Sequence, residues 1–157
     1  MECIILAGGQ GTRLQSVVQD VPKCLAPING KPFLDYLFNY LESQFVDHVV
    51  LSLGYKYEMV LDYLKGRAFT FKVSWVIEKE PLGTGGAIQL ALGKTKSKHV
   101  FVLNGDTYFP VDLRKMASIH TPDTTLTIAT TTLTNIDRYG LVHTDEHQKI
   151  VAFEEKK

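Results

Sequence analysis

The stretch "ECIILAGGQGTRL", residues 2 to 14, decides how the rest of the chain is read. Residues 2–6 form a nearly continuous apolar run, the pattern of a strand covered on both faces. The run breaks at once into Gly8, Gly9 and Gly11, next to Thr12 and Arg13. Glycine admits positive φ and lets another group come close to the backbone. A buried strand opening into such a loop is the start of an α/β sheet with a ligand beyond its carboxyl end.

Strands and helices alternate outward from that point. Residues 32–45 place Leu34, Leu37, Phe38, Leu41 and Phe45 at helical spacing, with Pro32 suited to the first turn. "HVVLSL" (48–53) reads as a strand, 57–66 as a short helix stopped by Gly66, and 69–77 as an alternating strand. A helix is expected over 84–94, a buried strand over 99–106, and a helix over 112–120 capped by Asp112. The threonine-rich 124–133 reads as a long strand and 140–155 as a hairpin around "DEHQ". The aromatic residues of 33–45 and Trp75 are expected in the core, and Asp35, Asp47 and Asp62 on the surface. The pattern predicts an α/β sandwich with a mostly parallel sheet, and residues 1–157 as a single domain.

Composition narrows the function classes. Lys plus Arg (17) balance Asp plus Glu (17), which argues against a nucleic-acid or anionic-membrane binder. Cys3 and Cys24 form no disulfide framework or CxxC site. His143 and His147 are four apart but flank a turn, where ligand pairs of that spacing need a helix. No apolar run reaches membrane-spanning length and the amino terminus lacks a signal-peptide pattern, so the default location is the cytoplasm.

Three polar, glycine-containing segments follow predicted strands: "AGGQGTR" (7–13), "EPLGTGG" (80–86) and "NGD" (104–106). All three point at one crevice. A P-loop is excluded because Thr12 and Arg13, not Lys and Ser/Thr, follow Gly11. A dinucleotide loop is disfavoured because Leu14 stands where its third glycine belongs, and Pro22, Pro27 and Pro32 prevent an immediate crossover helix.

"LAGGQGTRL", "VPKCLAPINGKP" and "NGD" closing a strand resemble the sugar-phosphate nucleotidyltransferases. The resemblance rests on Leu6, Ala7, Gly8, Gly9, Gly11, Thr12, Arg13, Leu14, Pro22, Lys23, Leu25, Pro27 and Pro32. It continues through "EPLGTGGA" (80–87), "LNGD" (103–106), "YGLV" (139–142) and "FEEK" (153–156). It implies a Rossmann-like three-layer fold of the nucleotide-diphospho-sugar transferase type, and in-line attack of a sugar 1-phosphate on a nucleoside triphosphate with release of pyrophosphate. The residue types suit that chemistry. A phosphate monoester has a second pKa of about 6, so the nucleophile is already an anion and the task is to bring two polyanions together. Backbone N–H groups, the planar fork of Arg13 and the compact charge of Lys23 can neutralise phosphates. Asp106 at a strand end can hold Mg²⁺.

The resemblance implies residue roles as follows. Leu6, Ala7, Gly8 and Gly9 line base and ribose, while Gly11, Thr12 and Arg13 meet the triphosphate. Arg13 and Lys23 serve catalysis, and Glu80, Pro81 and Gly83 flank the base. Asp106 binds the metal, and Gly140, Glu155 and Lys156 lie near the sugar and its phosphate. "EKEPLGTGGAI" and "LNGDTYF" are most similar to the branch that makes GDP-heptose from GTP and D-glycero-α-D-manno-heptose 1-phosphate for surface polysaccharides. Mannose 1-phosphate guanylyltransferases and uridylyltransferases share parts of the pattern, and a non-catalytic nucleotide-binding module is the rival class. Family members usually continue past the Glu-Lys motif and supply a second acidic metal ligand there. The chain is therefore expected to lack the family's C-terminal part, and its self-association stays open.

Overall fold

The computed structural model describes residues 1–9, 11, 20–134 and 139–155. The chain divides into two compact units, Met1–Pro110 and Val111–Lys157. In the first unit, β1 (Glu2–Ala7) is followed by a 3-10 turn (Lys23–Leu25), a small hairpin of β2 (Pro27–Ile28) and β3 (Lys31–Pro32), and α1 (Phe33–Ser43). Then come β4 (His48–Leu53), α2 (Tyr57–Leu64), β5 (Lys72–Ile77), α3 (Gly83–Leu92) and β6 (Phe101–Asn104).

The central sheet has the order β5-β4-β1-β6, and every neighbouring pair is parallel. The chain moves outward from β1 to β4 to β5, then returns to lay β6 on the far side of β1. This reversal makes the carboxyl ends of β1 and β6 the topological switch point, where such sheets bind ligands. Interior position explains the apolar runs. All six residues of β4 are buried, as are Cys3, Ile4 and Ile5 of β1. Ile4, Val50 and Val76 on one face pack with Ala91 and Ile88 of α3. Right-handed crossovers place α1 and α2 against the opposite face, because the chain travels the other way there.

Helix α1 buries Leu34, Leu37, Phe38 and Leu41, the stripe read from the sequence. Phe45 does not extend it. The Val46 N–H donates to the Leu41 carbonyl and the Phe45 N–H to the Glu42 carbonyl, a Schellman ending that puts Phe45 at φ 58° with 64% of its surface exposed. Asp35 is likewise not a free surface charge. Its carboxylate, 16% exposed, accepts from the Tyr63 hydroxyl and the Arg67 guanidinium, joining α1 to the end of α2. The Tyr63 hydroxyl is pushed above its ordinary pKa by burial and by this carboxylate. Trp75 is 42% exposed rather than core, because β5 is the outer strand of the sheet.

Loop 22–32 is more ordered than its prolines suggest. Asn29 and Gly30 both take positive φ, 50° and 77°, and close the β2–β3 hairpin, the left-handed pair that two-residue hairpins require.

The second unit holds α4 (Leu113–Ile119) and the antiparallel pair β7 (Leu141–Thr144) and β8 (Ile150–Glu154). The Asp112 carboxylate caps α4 by accepting the Lys115 N–H at 2.9 Å. In the hairpin turn, Asp145 Oδ1 accepts the N–H groups of His147 and Lys149. The strand expected over 124–133 does not form. That segment is extended in composition only, for no described residue pairs with it in a ladder. β propensity reflects packing on a paired surface, and threonine content cannot supply the pairing partner.

Candidate functional site

At the switch point lies a cavity of about 340 Å³, within the roughly 300–1,000 Å³ usual for ligand sites. Leu6, Ala7, Gly8 and Gly9 bring the end of β1 to it, Asn104, Gly105 and Asp106 the end of β6, and Gly83, Thr84 and Ala87 the first turns of α3. Lys23, Cys24, Glu78 and Pro81 complete the wall.

Close approach of backbones builds this floor. The Gly105 N–H donates to the Leu6 carbonyl at 2.8 Å, extending the β1–β6 ladder past its last strand residue. A Cβ on Gly105 would stand 2.8 Å from that carbonyl oxygen and 3.0 Å from the Ala7 Cβ, so only glycine lets the two loops meet. Asp106 then leaves the sheet with its side chain 43% exposed.

Lys23 reaches the same place from the 3-10 turn. Pro22 is fully buried, and the Leu25 N–H donates to the Pro22 carbonyl at 2.8 Å, which fixes the turn. Lys23 Nζ lies 3.0 Å from Asp106 Oδ2. The neighbouring Cys24 thiol is pushed up to about 12 by burial and, less strongly, by the Asp106 charge. It is a neutral wall of the cavity, not a nucleophile.

Of the residues singled out in the sequence, the structure brings Leu6, Ala7, Gly8, Gly9, Lys23, Pro81, Gly83 and Asp106 to one cavity. Gly11, at φ 65°, instead packs against the aliphatic stem of Lys23. Glu80 is exposed and lies outside the wall; Glu78, two residues earlier, is in it. Gly140 and Glu155 belong to the second unit, where a Cβ on Gly140 would crowd the Phe153 ring. Thr12, Arg13 and Lys156 fall outside the described residues.

Glu78 escaped the motif reading because that reading begins at "EPLGTGG". Strand alternation would have found it. Val76 faces α3, so Glu78 continues the same face one residue past β5.

A parallel sheet with a glycine-lined cavity at its switch point, holding an ammonium and a carboxylate, defines a nucleotide-handling α/β protein of the nucleotide-diphospho-sugar transferase fold. The chain belongs to the nucleotidyl transferase family, whose model matches residues 2–156. It is 46% identical, over 99% of its length, to a D-glycero-α-D-manno-heptose 1-phosphate guanylyltransferase from Campylobacter jejuni. Over the same share it is 49% identical to a protein of that name from Aneurinibacillus thermoaerophilus. It spans 69% and 68% of those two relatives. Two crystal structures of HddC from Yersinia pseudotuberculosis, one complexed with GMP-PN, superpose with TM-scores of 0.89 and 0.88 at 42% and 41% identity. Each match covers 99% of this chain and 69% of HddC. The chain is thus a sugar 1-phosphate nucleotidyltransferase by family, and nucleotidyltransferases of this family generally use a divalent metal ion.

No described group of three or more His, Cys, Asp or Glu side chains could hold a metal. Asp106 offers a single, partly exposed carboxylate in the cavity. That fits a hard cation bound through one or two carboxylates together with substrate phosphates.

Proposed function

We propose that this chain transfers the guanylyl group of GTP to D-glycero-α-D-manno-heptose 1-phosphate, yielding GDP-heptose and pyrophosphate. The observation that carries this reading is one cavity in which glycine-rich backbone, Lys23 and Asp106 face each other, in a chain about half identical to two guanylyltransferases of that name. A phosphate oxygen of the sugar 1-phosphate attacks the α-phosphorus of GTP. The new P–O bond forms as the bond to the β-phosphate bridging oxygen breaks, and its electron pair departs with pyrophosphate. The nucleophile needs no general base, so the protein's part is positioning and charge neutralisation.

Leu6, Ala7, Gly8 and Gly9 seat the nucleoside, with Pro81 and Gly83 at its side. Lys23 leaves Asp106 for the reacting phosphates, and Gly11, Thr12 and Arg13 take the triphosphate. Asp106 would hold Mg²⁺, which would supply neutralisation of phosphate charge. Gly140, Glu155 and Lys156 serve the sugar phosphate. Residues 1–157 act as one nucleotidyltransferase domain, a reading supported by a family model that spans both units. The nucleoside triphosphate pool is cytoplasmic, and the enzyme works there.

The test is a pyrophosphate-release panel crossing GTP, UTP, CTP, ATP and dTTP with heptose, mannose, glucose and muramic-acid 1-phosphates. Release with GTP and the heptose phosphate above all other pairs is expected. Preference for mannose 1-phosphate or for a pyrimidine triphosphate would reassign the substrate, and nucleotide binding without release from any pair would make the chain a binding module.

A further inference from the structure

The amino-terminal end of the central sheet holds a second cavity, of about 330 Å³. The length of β1 separates it from the switch-point cavity by roughly 16 Å, at about 3.3 Å per residue step. Glu2, His48 and Lys72 stand in register across the starts of β1, β4 and β5, and the turn after α3 brings Lys94, Lys96 and Ser97 to the same wall. Both carboxylates of that wall already have partners. Glu2 Oε1 lies 2.7 Å from His48 Nδ1, and Oε2 accepts the N–H groups of Lys96 and Ser97. Asp47 pairs with the amino terminus of Met1. The other ring nitrogen of His48 is occupied as well, 2.9 Å from Ser74 Oγ. Lys72, Lys94 and Lys96 differ: their exposed ammonium groups have no ion pair or hydrogen bond among the described residues. In a chain whose 17 basic and 17 acidic residues cancel, this wall sets four cations against two carboxylates.

We propose that this cavity is a second ligand site, one that takes a diphosphate group, whether free pyrophosphate or the diphosphate of a nucleotide. The warrant is a match of charge and donors. Each ammonium offers three donors and no acceptor, and a phosphoryl group carries about −1.5 to −2 charges near neutral pH. Three ammonium groups therefore balance two linked phosphoryl groups, whereas a single phosphate leaves one of them unanswered. Glu2 does not repel the anion strongly, because its own charge is met by His48 and by two backbone N–H groups within the wall. Those same N–H bonds fix the segment that carries Lys96. Three lysines around one hollow suit a compact anion, while a nucleic acid or a membrane asks for a broad basic face that a chain of zero net charge does not supply. The site does not depend on what occupies the switch-point cavity.

Amide proton–nitrogen NMR spectra of the whole chain test this, titrated with pyrophosphate, ADP and inorganic phosphate at constant ionic strength and without Mg²⁺. Pyrophosphate should move the signals of Lys72, Lys96 and Ser97 along a saturating curve, with an affinity about tenfold or more above that of phosphate. ADP following the same curve extends the site to nucleotides, and ADP silent at those signals assigns it to free pyrophosphate; either sustains the proposal. Lys72→Gln, Lys94→Gln and Lys96→Gln together should weaken this binding on the order of a hundredfold. Any response at Gly8, Gly9 and Gly105 should stay as it was. Pyrophosphate shifts confined to those glycines overturn the proposal on the unaltered chain alone, even if the triple variant does not fold. So does an unsaturated drift that is equal for phosphate and pyrophosphate, the mark of a solvated lysine surface. A folded triple variant that keeps the original curve overturns it as well.

Discussion

Replacing Lys23 with glutamine separates stability from catalysis. Lys23 Nζ and Asp106 Oδ2 are 3.0 Å apart, with the two side chains 31% and 43% exposed. At that distance in water-like surroundings the Coulomb attraction is about 1.4 kcal/mol. Ordering two partly exposed side chains offsets most of it, and such pairs contribute about 0.2–1 kcal/mol. Lys23→Gln should therefore lower stability by no more than about 1 kcal/mol, roughly 2–4 °C in Tm for a chain of this size. Its effect on turnover should be far larger. Removing one preorganised group aimed at developing charge costs about a hundredfold to a thousandfold in rate, roughly 2.7–4 kcal/mol. Pyrophosphate release with GTP and heptose 1-phosphate, measured beside a thermal melt, reads both quantities. A variant that keeps turnover within a few-fold of the parent would refute the assignment of Lys23 to the reacting phosphates. So would a variant whose activity falls only in step with its folded fraction.

Two further outcomes concern the scaffold. Phe45 pays an αL penalty of roughly 1–2 kcal/mol at φ 58°, while exposing most of its ring. Phe45→Gly should stabilise the chain by up to about 1 kcal/mol after the extra unfolded-state entropy of glycine, visible as a raised denaturant midpoint. Glu2 is buried at the start of β1, with Oε1 2.7 Å from His48 Nδ1 and Oε2 accepting the N–H groups of Lys96 and Ser97. These hydrogen bonds, His48 foremost, lower its pKa from 4.5 to about 2. A depressed carboxylate stabilises the fold above its unfolded pKa and loses that contribution as pH falls through the folded value. Glu2→Gln should cost about 2 kcal/mol near neutral pH, and melts of the two proteins should converge between pH 4.5 and about 2.

The strands that build the site were legible because burial on both faces leaves an unbroken apolar run, as in 2–6 and 48–53, and because glycine and proline mark where the runs stop. Lys23 and Asp106 were legible as residue types at loop positions, yet their 3.0 Å approach depends on a turn set by a buried proline and on sheet order. Neither can be read from spacing. Glu78 stands in the cavity wall because it continues the inward face of β5, a parity signal that the glycine motif beginning at Glu80 does not carry. Phe45 and Trp75 look like core by hydrophobicity alone. One lies past a helix end that sequence periodicity does not locate, and the other on an outer strand whose position only the sheet order reveals. The run 124–133 shows the same limit: a strand is a relation between two segments, and one segment's composition cannot state it.

The reversal of strand order at β1 also draws the cavity walls from loops far apart along the chain. The loop leaving β5 carries Glu78, while the loop leaving β6 carries Asp106, and the two strands lie at opposite edges of the sheet. A substitution in one of these loops can therefore leave the geometry of the other untouched, because no single segment of chain builds both walls of the cavity.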